Sequence, residues 1–180
     1  METTTPSTAR IALRYGLYAG LAAIIVSTVL NLTGLSFNKV VGYFRILISL
    51  GIAVAAIVYA CKEFRAANGG YLSLGQAIGL GTLLSAVSGL LSGLFTTIYV
   101  TVIDPSFVEK TLDNARTQME EQGQLSEEQI DQAMEISRPF TEWLLNFSFV
   151  TGPIFGALVG LILSLIIGAI MKKDRDIFAQ

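Results

Sequence analysis

Four long runs of apolar residues limit the folds open to this sequence more than any other feature. The runs cover residues 11–33, 40–61, 74–103 and 147–171. Each reaches the roughly 20 residues that an α-helix needs to cross a lipid bilayer. Backbone groups in hydrocarbon must find hydrogen bonds within their own segment, so helices are expected, and the short alternating segments of a membrane β-barrel do not occur. We predict an all-α membrane protein with four transmembrane helices, in a single membrane domain over residues 1–180.

The scarcity of charge agrees with lipid as the surrounding medium. The chain is 52% hydrophobic and 14% charged, whereas about a quarter of the residues of a soluble domain are charged. So few charges cannot cover a water-facing surface. Arg10 lies just before the first run and Arg14 near its start. The run is too long for the apolar part of a signal peptide and lacks an Ala-x-Ala cleavage site. We therefore interpret that run as a retained signal anchor.

Basic residues close to the spans predict the orientation. One side holds a dense set: Arg10, Arg14, Lys62, Arg65, Lys172, Lys173 and Arg175. The other side holds a sparser set, spread over more chain: Lys39, Arg45, Lys110, Arg116 and Arg138. The positive-inside rule then places both termini in the cytoplasm, and we expect a multi-pass protein of the bacterial inner (plasma) membrane.

Arg45 needs an explanation of its own, because it falls inside the second run. Only 15 residues follow it before Cys61, from Ile46 to Ala60, which is about 22 Å of helix and too short to cross a bilayer. The span must therefore begin before Arg45, with the guanidinium just inside the outer boundary. Three interpretations remain open: the side chain snorkels outward, it forms an intramembrane ion pair with Asp104 or with Glu142, or it serves transport.

Small residues recur at every fourth position of three spans. A spacing of four places them on one face of a helix, where another backbone can approach closely. We predict helix packing through Gly16 and Gly20 in the first span, Gly81, Ser85, Gly89 and Gly93 in the third, and Gly152, Gly156, Gly160, Ser164 and Gly168 in the fourth. The pattern leaves three partners open: the helices of the same chain, a second copy of the chain, or a substrate-lined groove.

Residues 104–142 are acidic and differ from the rest of the chain, with ten of its fourteen carboxylates. Asp104-Pro105 resembles an N-cap followed by proline at the first helical position. Ser126 and Gln129 have the spacing of a capping box for a second helix, which Pro139 is expected to limit. We predict an extracytoplasmic helical hairpin between the third and fourth spans. Its acidic face is either a solvated surface or a binding face for Ca²⁺ or a basic partner, although no Asp-x-Asp-x-Asp-Gly loop is present.

Catalytic chemistry has little support in this sequence. It has no histidine and a single cysteine, Cys61. No lysine lies within a span to activate a serine, no Asp or Glu lies within a span to relay protons, and no phosphate-binding Gly-Lys-Ser/Thr loop occurs. We expect no enzyme activity, no catalytic residues, no cofactor, no metal site and no nucleic-acid partner.

Several stretches resemble a known family in chain order. They are residues 62–65, 69–77, 103–107, 126–134 and 160–166, which read KEFR, GGYLSLGQA, IDPSF, SEEQIDQAM and GLILSLI. The chain resembles the bacterial membrane proteins grouped as domain of unknown function 4199. The resemblance implies a multi-span inner-membrane protein without an assigned activity, and it transfers no functional residues.

Two functional hypotheses follow from these patterns. The small-residue stripes, the acidic segment and the missing catalytic groups favour a structural or interaction protein, whose partners are the bilayer and either a second copy or another membrane protein. Arg45 near Asp104, together with the serines and threonines of the third span, supports the alternative of a small oligomeric transporter or channel. An intramembrane enzyme has the least support.

Overall fold

Six α-helices account for most of the chain in the computed structural model, which describes residues 7–173. They are α1 (Thr8–Leu32), α2 (Lys39–Ala67), α3 (Leu74–Ile98), α4 (Phe107–Gln122), α5 (Glu127–Asn146) and α6 (Ser148–Met171). A 3₁₀ turn, Leu35–Phe37, lies between α1 and α2, and a π-helical turn, Tyr99–Ile103, extends α3. Arg175, one of the basic residues used for the orientation, lies outside the described residues.

Four of the helices are long and apolar enough to cross a membrane: α1, α2, α3 with its π-helical turn, and α6. They are 24 to 30 residues long. The predicted all-α chain with four such helices is therefore confirmed. α2 continues past the predicted residue 61 to Ala67, because Phe64 in this last turn is only 2% exposed and packs into the core.

Side chains that cap the helices explain where several of them begin. The Ser73 hydroxyl accepts a hydrogen bond from the Gln76 N–H, and the Gln76 side chain accepts one from the Ser73 N–H, so α3 starts with a capping box. Ser126 and Gln129 do the same for α5, which confirms the predicted capping box. Such caps satisfy amide groups that have no partner within the helix.

α3 lies at the centre of the bundle, with α6 along one side and α1 along another. The main core lies where α1 and α3 begin and α2 and α6 end, around the fully buried Ile57, Leu72 and Leu80. Backbone hydrogen bonds between Leu72 and Lys173 join α6 to the loop before α3 at this end. We call it the basic end, because Arg14, Lys62, Arg65, Lys172 and Lys173 lie there.

α2 is packed over only half of its length. Its basic-end half contributes buried residues such as Ala60 and Cys61, whereas every residue from 43 to 51 is exposed. α2 therefore packs less closely against the rest of the bundle towards Asn38 than at the basic end. The cavities described below lie beside this loosely packed half.

The start of α4 differs from the prediction. The helix begins at Phe107, with Ser106 at its N-cap, and Asp104-Pro105 lies in the preceding turn. The Asp104 carboxylate accepts hydrogen bonds from the Ser106 hydroxyl and the Lys110 ammonium group instead of capping a helix that starts at Pro105. The α4 side chains Val108 and Leu112 form a second small core with Val100.

α5 also differs from the prediction, because Pro139 does not limit it. The helix continues through Pro139 to Asn146, and α6 begins two residues later at Ser148. Proline removes the hydrogen bond to the carbonyl four residues earlier, here Glu135. Both residues are exposed, so water can satisfy that carbonyl and the helix persists.

Candidate functional site

The small-residue stripes of α3 and α6 face each other within one chain. A Cβ atom added to Gly89 would overlap the carbonyl of Gly152, and one added to Gly152 would overlap the carbonyl of Gly89. Gly93 has the same relation to the carbonyl of Ser148, and Gly156 to the carbonyl of Ser85. The two backbones are therefore in direct contact, which only residues without a side chain permit at these positions.

The remaining stripe residues extend this contact in both directions. Added Cβ atoms on Gly81 and Gly160 would meet Ser164 and Ser85 respectively, and one on Gly168 would lie 2.8 Å from the Cβ of Ala77. On the other side of α3, an added Cβ atom on Gly16 would lie 2.7 Å from the Leu84 carbonyl oxygen, and one on Gly20 3.0 Å from Leu91. α3 is thus held between α1 and α6.

Arg45 and Asp104 do not form the predicted ion pair. The Asp104 carboxylate pairs with Lys110 at 2.8 Å, because Lys110 is only six positions along the chain, in the first turn of α4. The other predicted partner, Glu142, lies 3.4 Å from Arg138. Within residues 7–173, no carboxylate lies within ion-pair distance of Arg45, and its side chain makes no hydrogen bond.

Arg45 is instead an exposed residue that lines two cavities. The first, which we call the Arg45 cavity, has a volume of about 280 Å³ and lies between α1, α2 and α3. Its polar lining is Ser27, Arg45, Ser49, Ser92 and Thr96. The second, which we call the Asn31 cavity, has a volume of about 370 Å³ and extends from Arg45 towards Asn114 of α4. Both cavities share Ser27, Arg45, Phe95 and Thr96, so they are neighbours on one path.

A third space continues along α3 towards the middle of the bundle. This groove, which we call the serine groove, has a volume of about 490 Å³ and shares Ser92 and Thr96 with the Arg45 cavity. Ser85, Ser88, Ser92 and Thr96 lie on one face of α3 and contribute to it. The Ser85 side chain is only 7% exposed, and its hydroxyl has no hydrogen-bond partner among the described residues. An unpaired buried hydroxyl costs about 1–3 kcal/mol, and the Ser85 oxygen lies against Gly160 of α6 rather than open to the groove.

Some of the cavity residues did not emerge from the sequence. Ser27 and Asn31 of α1 and Ser49 of α2 are not among the predicted site residues, because single polar residues in apolar runs usually serve helix packing. Their spacing was the available signal: Ser27 and Asn31 are four apart, as are Arg45 and Ser49. Each pair therefore lies on one face of its helix.

α4 and α5 are joined by ion pairs on their outer surface. Arg138 of α5 binds Glu109 of α4 through the two terminal nitrogens of its guanidinium group, at 2.7 and 2.8 Å. Arg116 of α4 binds Asp131 of α5 at 2.7 Å. The hydrogen bond from Arg138 lowers the pKa of Glu109. Five carboxylates of this segment form no ion pair within the described residues: Asp113, Glu121, Glu127, Glu128 and Glu135.

The C-terminal half of α5 exposes an apolar stripe. Ile136, Phe140 and Trp143 are all exposed, and the Trp143 ring lies 6.5 Å from that of Phe140 and 6.1 Å from that of Phe147. The stripe continues into exposed apolar residues at the start of α6, such as Phe149. Aromatic rings at such a junction are typical of the membrane–water interface.

Comparison with known proteins identifies a family without assigning an activity. Searches of curated proteins and of solved structures gave no match. A family model described as "Protein of unknown function (DUF4199)" matches residues 14–173. This match includes most of α1 and the whole of the other three long apolar helices. The chain therefore belongs to the DUF4199 family of proteins of unknown function.

Proposed function

We propose that this chain is a multi-pass inner-membrane protein with both termini in the cytoplasm, and that it acts as a structural or interaction protein. The basic end of the bundle supports the orientation, since positively charged residues favour the cytoplasmic side. α4 and α5 then form an extracytoplasmic helical hairpin. The close backbone contact between α3 and α6 gives this hairpin a rigid base in the membrane.

The observation that carries the proposal is the double ion-pair connection between α4 and α5. Arg116–Asp131 and Arg138–Glu109 join the helices at two levels, and the buried Leu112 and Ile130 lie on α4 and α5 respectively. Exposed ion pairs contribute little to stability one by one. Two of them across the same helix pair, however, hold one relative arrangement, and a preformed surface loses less entropy on binding.

The unpaired carboxylates indicate the class of partner. Glu121, Glu127 and Glu128 lie where α4 ends and α5 begins, and all three are exposed. We call this part of the molecule the acidic tip. A basic segment of another envelope protein would complement its negative charge. Electrostatic complementarity of this kind raises the association rate and favours one partner over others.

Photo-crosslinking in native membranes tests this function. A photoreactive residue placed at Gln124, in the turn between α4 and α5, is expected to trap a discrete higher-mass adduct with the wild-type tip. The variant E121Q/E127Q/E128Q should reduce its yield several-fold, whereas the charge-preserving control Q118A/Q122A should not. Recovery of monomer alone, or equal adduct yields from all three proteins, would contradict the proposal.

A second function, a small oligomeric transporter, is favoured by one specific observation. A dry and fully packed bundle is incompatible with transport, whereas this bundle contains three neighbouring spaces with serine or threonine side chains in their lining, two of which also include Arg45. Proteoliposomes containing the full chain are expected to show anion flux that R45Q reduces. Anion flux equal to that of empty liposomes would contradict the transporter function.

A further inference from the structure

We propose that Arg45 and the hydroxyl groups around it form a binding site for a phosphate-type oxyanion. The inference does not depend on the α4–α5 hairpin, and it specifies the ligand class that the second function would require. It rests on the position of one guanidinium group, on the chemistry of its surroundings and on the access that two cavities give to it.

Arg45 lies on the face of α2 that borders the cavities. Arg45, Ser49 and Ala53 follow each other at intervals of four, on one face of the helix. Arg45 lines both the Asn31 and the Arg45 cavities, Ser49 lines the Arg45 cavity, and Ala53 lines the serine groove. This face therefore borders the three spaces along its length, and Arg45, which is itself exposed, lines two of them.

The surroundings of Arg45 supply hydrogen-bond donors and no negative charge. Neither cavity has an aspartate or glutamate in its lining. The hydroxyls of Ser27, Ser49 and Ser92 make no hydrogen bond within the described residues. A charged group inside a span is costly unless a counter-charge accompanies it. Since the chain offers none here, the compensating charge is expected from a ligand.

A tetrahedral oxyanion fits this set of donors. The planar guanidinium group binds two oxygens of a phosphate in parallel, and serine hydroxyls around it can donate to the remaining oxygens. A carboxylate ligand can also pair with the guanidinium group through two oxygens. It would then have no further oxygen for the serine hydroxyls of α1, α2 and α3. A phosphate group, with more oxygens pointing in different directions, uses the cavity more fully.

Access to the site is open from two directions. The Asn31 cavity leads from Arg45 past Asn31 to Asn114, which provides a polar path for free phosphate from the α4 side. Residues 43–51 of α2 are exposed, so the phosphate of a lipid headgroup can also reach Arg45 from the bilayer while its acyl chains stay in lipid. Both sources present the same chemistry to the guanidinium.

Two binding measurements on the full chain separate these sources. In the first, thermal unfolding of delipidated protein in dodecyl maltoside is followed with increasing inorganic phosphate, at ionic strength held constant with chloride. In the second, native mass spectrometry counts the phosphatidylglycerol molecules that the protein retains. We expect R45Q to weaken the binding by about tenfold or more in at least one of them, as for the loss of a charge-assisted contact.

Matched variants keep the test independent of folding. Lys39→Gln removes a positive charge from the first residue of the same helix, outside both cavities, and should leave binding unchanged. S27A/S49A keeps Arg45 and removes two hydroxyls, so it should weaken binding even if R45Q fails to fold. A response only to phosphatidylglycerol identifies a lipid headgroup, and one to inorganic phosphate a free anion. No binding in either measurement, or equal binding by wild type and both cavity variants, overturns the proposal.

Discussion

At Gly89, the packing of α3 against α6 depends on the absence of a single methyl group. An added Cβ atom there would overlap the backbone carbonyl of Gly152, and a backbone group cannot rotate away as a flexible side chain can. Gly89→Ala should therefore destabilise the protein, by about 1–3 kcal/mol as for other overpacked cores. The measurement is the thermal unfolding midpoint of the purified protein in detergent.

Gly79 provides the matched control on the same helix. An added Cβ atom there would meet nothing within 4 Å, and alanine has a higher helix propensity than glycine by up to about 1 kcal/mol. Gly79→Ala should therefore leave the midpoint unchanged or raise it slightly. Equal losses in the two variants would mean that the contact between the α3 and α6 backbones has no special role in stability.

Some contacts follow from local helix geometry and could be predicted from the sequence. Others depend on the tertiary path of the chain and could not. The spacing of four selects Gly81, Gly89 and Gly93 as one face of α3 before any partner is known, because helix geometry alone determines it. The partner of Asp104 depends instead on the path of the following turn, which brings Lys110 to it. The cavities around Arg45 depend on how loosely the first half of α2 packs against α1 and α3, which no local pattern along α2 predicts.

Among the elements, α4 and α5 carry the charge interactions that respond to pH. The side-chain hydrogen bond from Arg138 lowers the pKa of Glu109, and those from Lys110 and Ser106 lower the pKa of Asp104. A carboxylate whose pKa is lower in the folded state adds stability above its unfolded pKa and loses it as the pH falls through the folded pKa. The segment should therefore loosen as the pH falls below about 4.

Hydrogen exchange of the α4 and α5 amides measures this loosening. Between pH 7 and pH 3, after correction for the intrinsic exchange rate, protection should fall more in α4 and α5 than in α3 and α6. Glu109→Gln should remove much of the pH dependence, because the paired carboxylate is gone. Glu128→Gln, at a carboxylate without an ion pair, should retain it, and identical profiles for the two variants would contradict this assignment.

Local sequence signals predict the start of α5 better than its end. Ser126 and Gln129 act within one turn, so their spacing alone predicts the start of α5. Pro139 suggested an early end, yet α5 continues to Asn146. The reason lies outside the local sequence: Pro139 faces outward, while Leu144 and Leu145 beyond it line the serine groove. Contacts with the rest of the bundle thus favour a longer helix than proline alone allows.

For the whole molecule, the proposed orientation places the basic end in the cytoplasm and the turn between α4 and α5 outside. Cys61 is the only cysteine, and it is fully buried in the core. A Cys61→Ala background therefore permits single cysteines as reporters, because alanine keeps the Cβ atom and removes only the buried sulfur. Asn68, in the turn after α2, and Gln124, in the turn before α5, are the two reporter positions at opposite ends of the molecule.

Labelling of intact cells with a membrane-impermeant maleimide, after permeabilisation of any outer membrane, should then separate the two positions. Gln124→Cys should react at once, whereas Asn68→Cys should react only after the inner membrane is disrupted. Both should react equally in detergent, which controls for local access. The reverse pattern would place the termini outside, and the acidic tip of α4 and α5 would then face the cytoplasm, where it could not meet an envelope partner. The orientation therefore determines the compartment in which the partner lies and the side of the membrane from which an anion reaches Arg45.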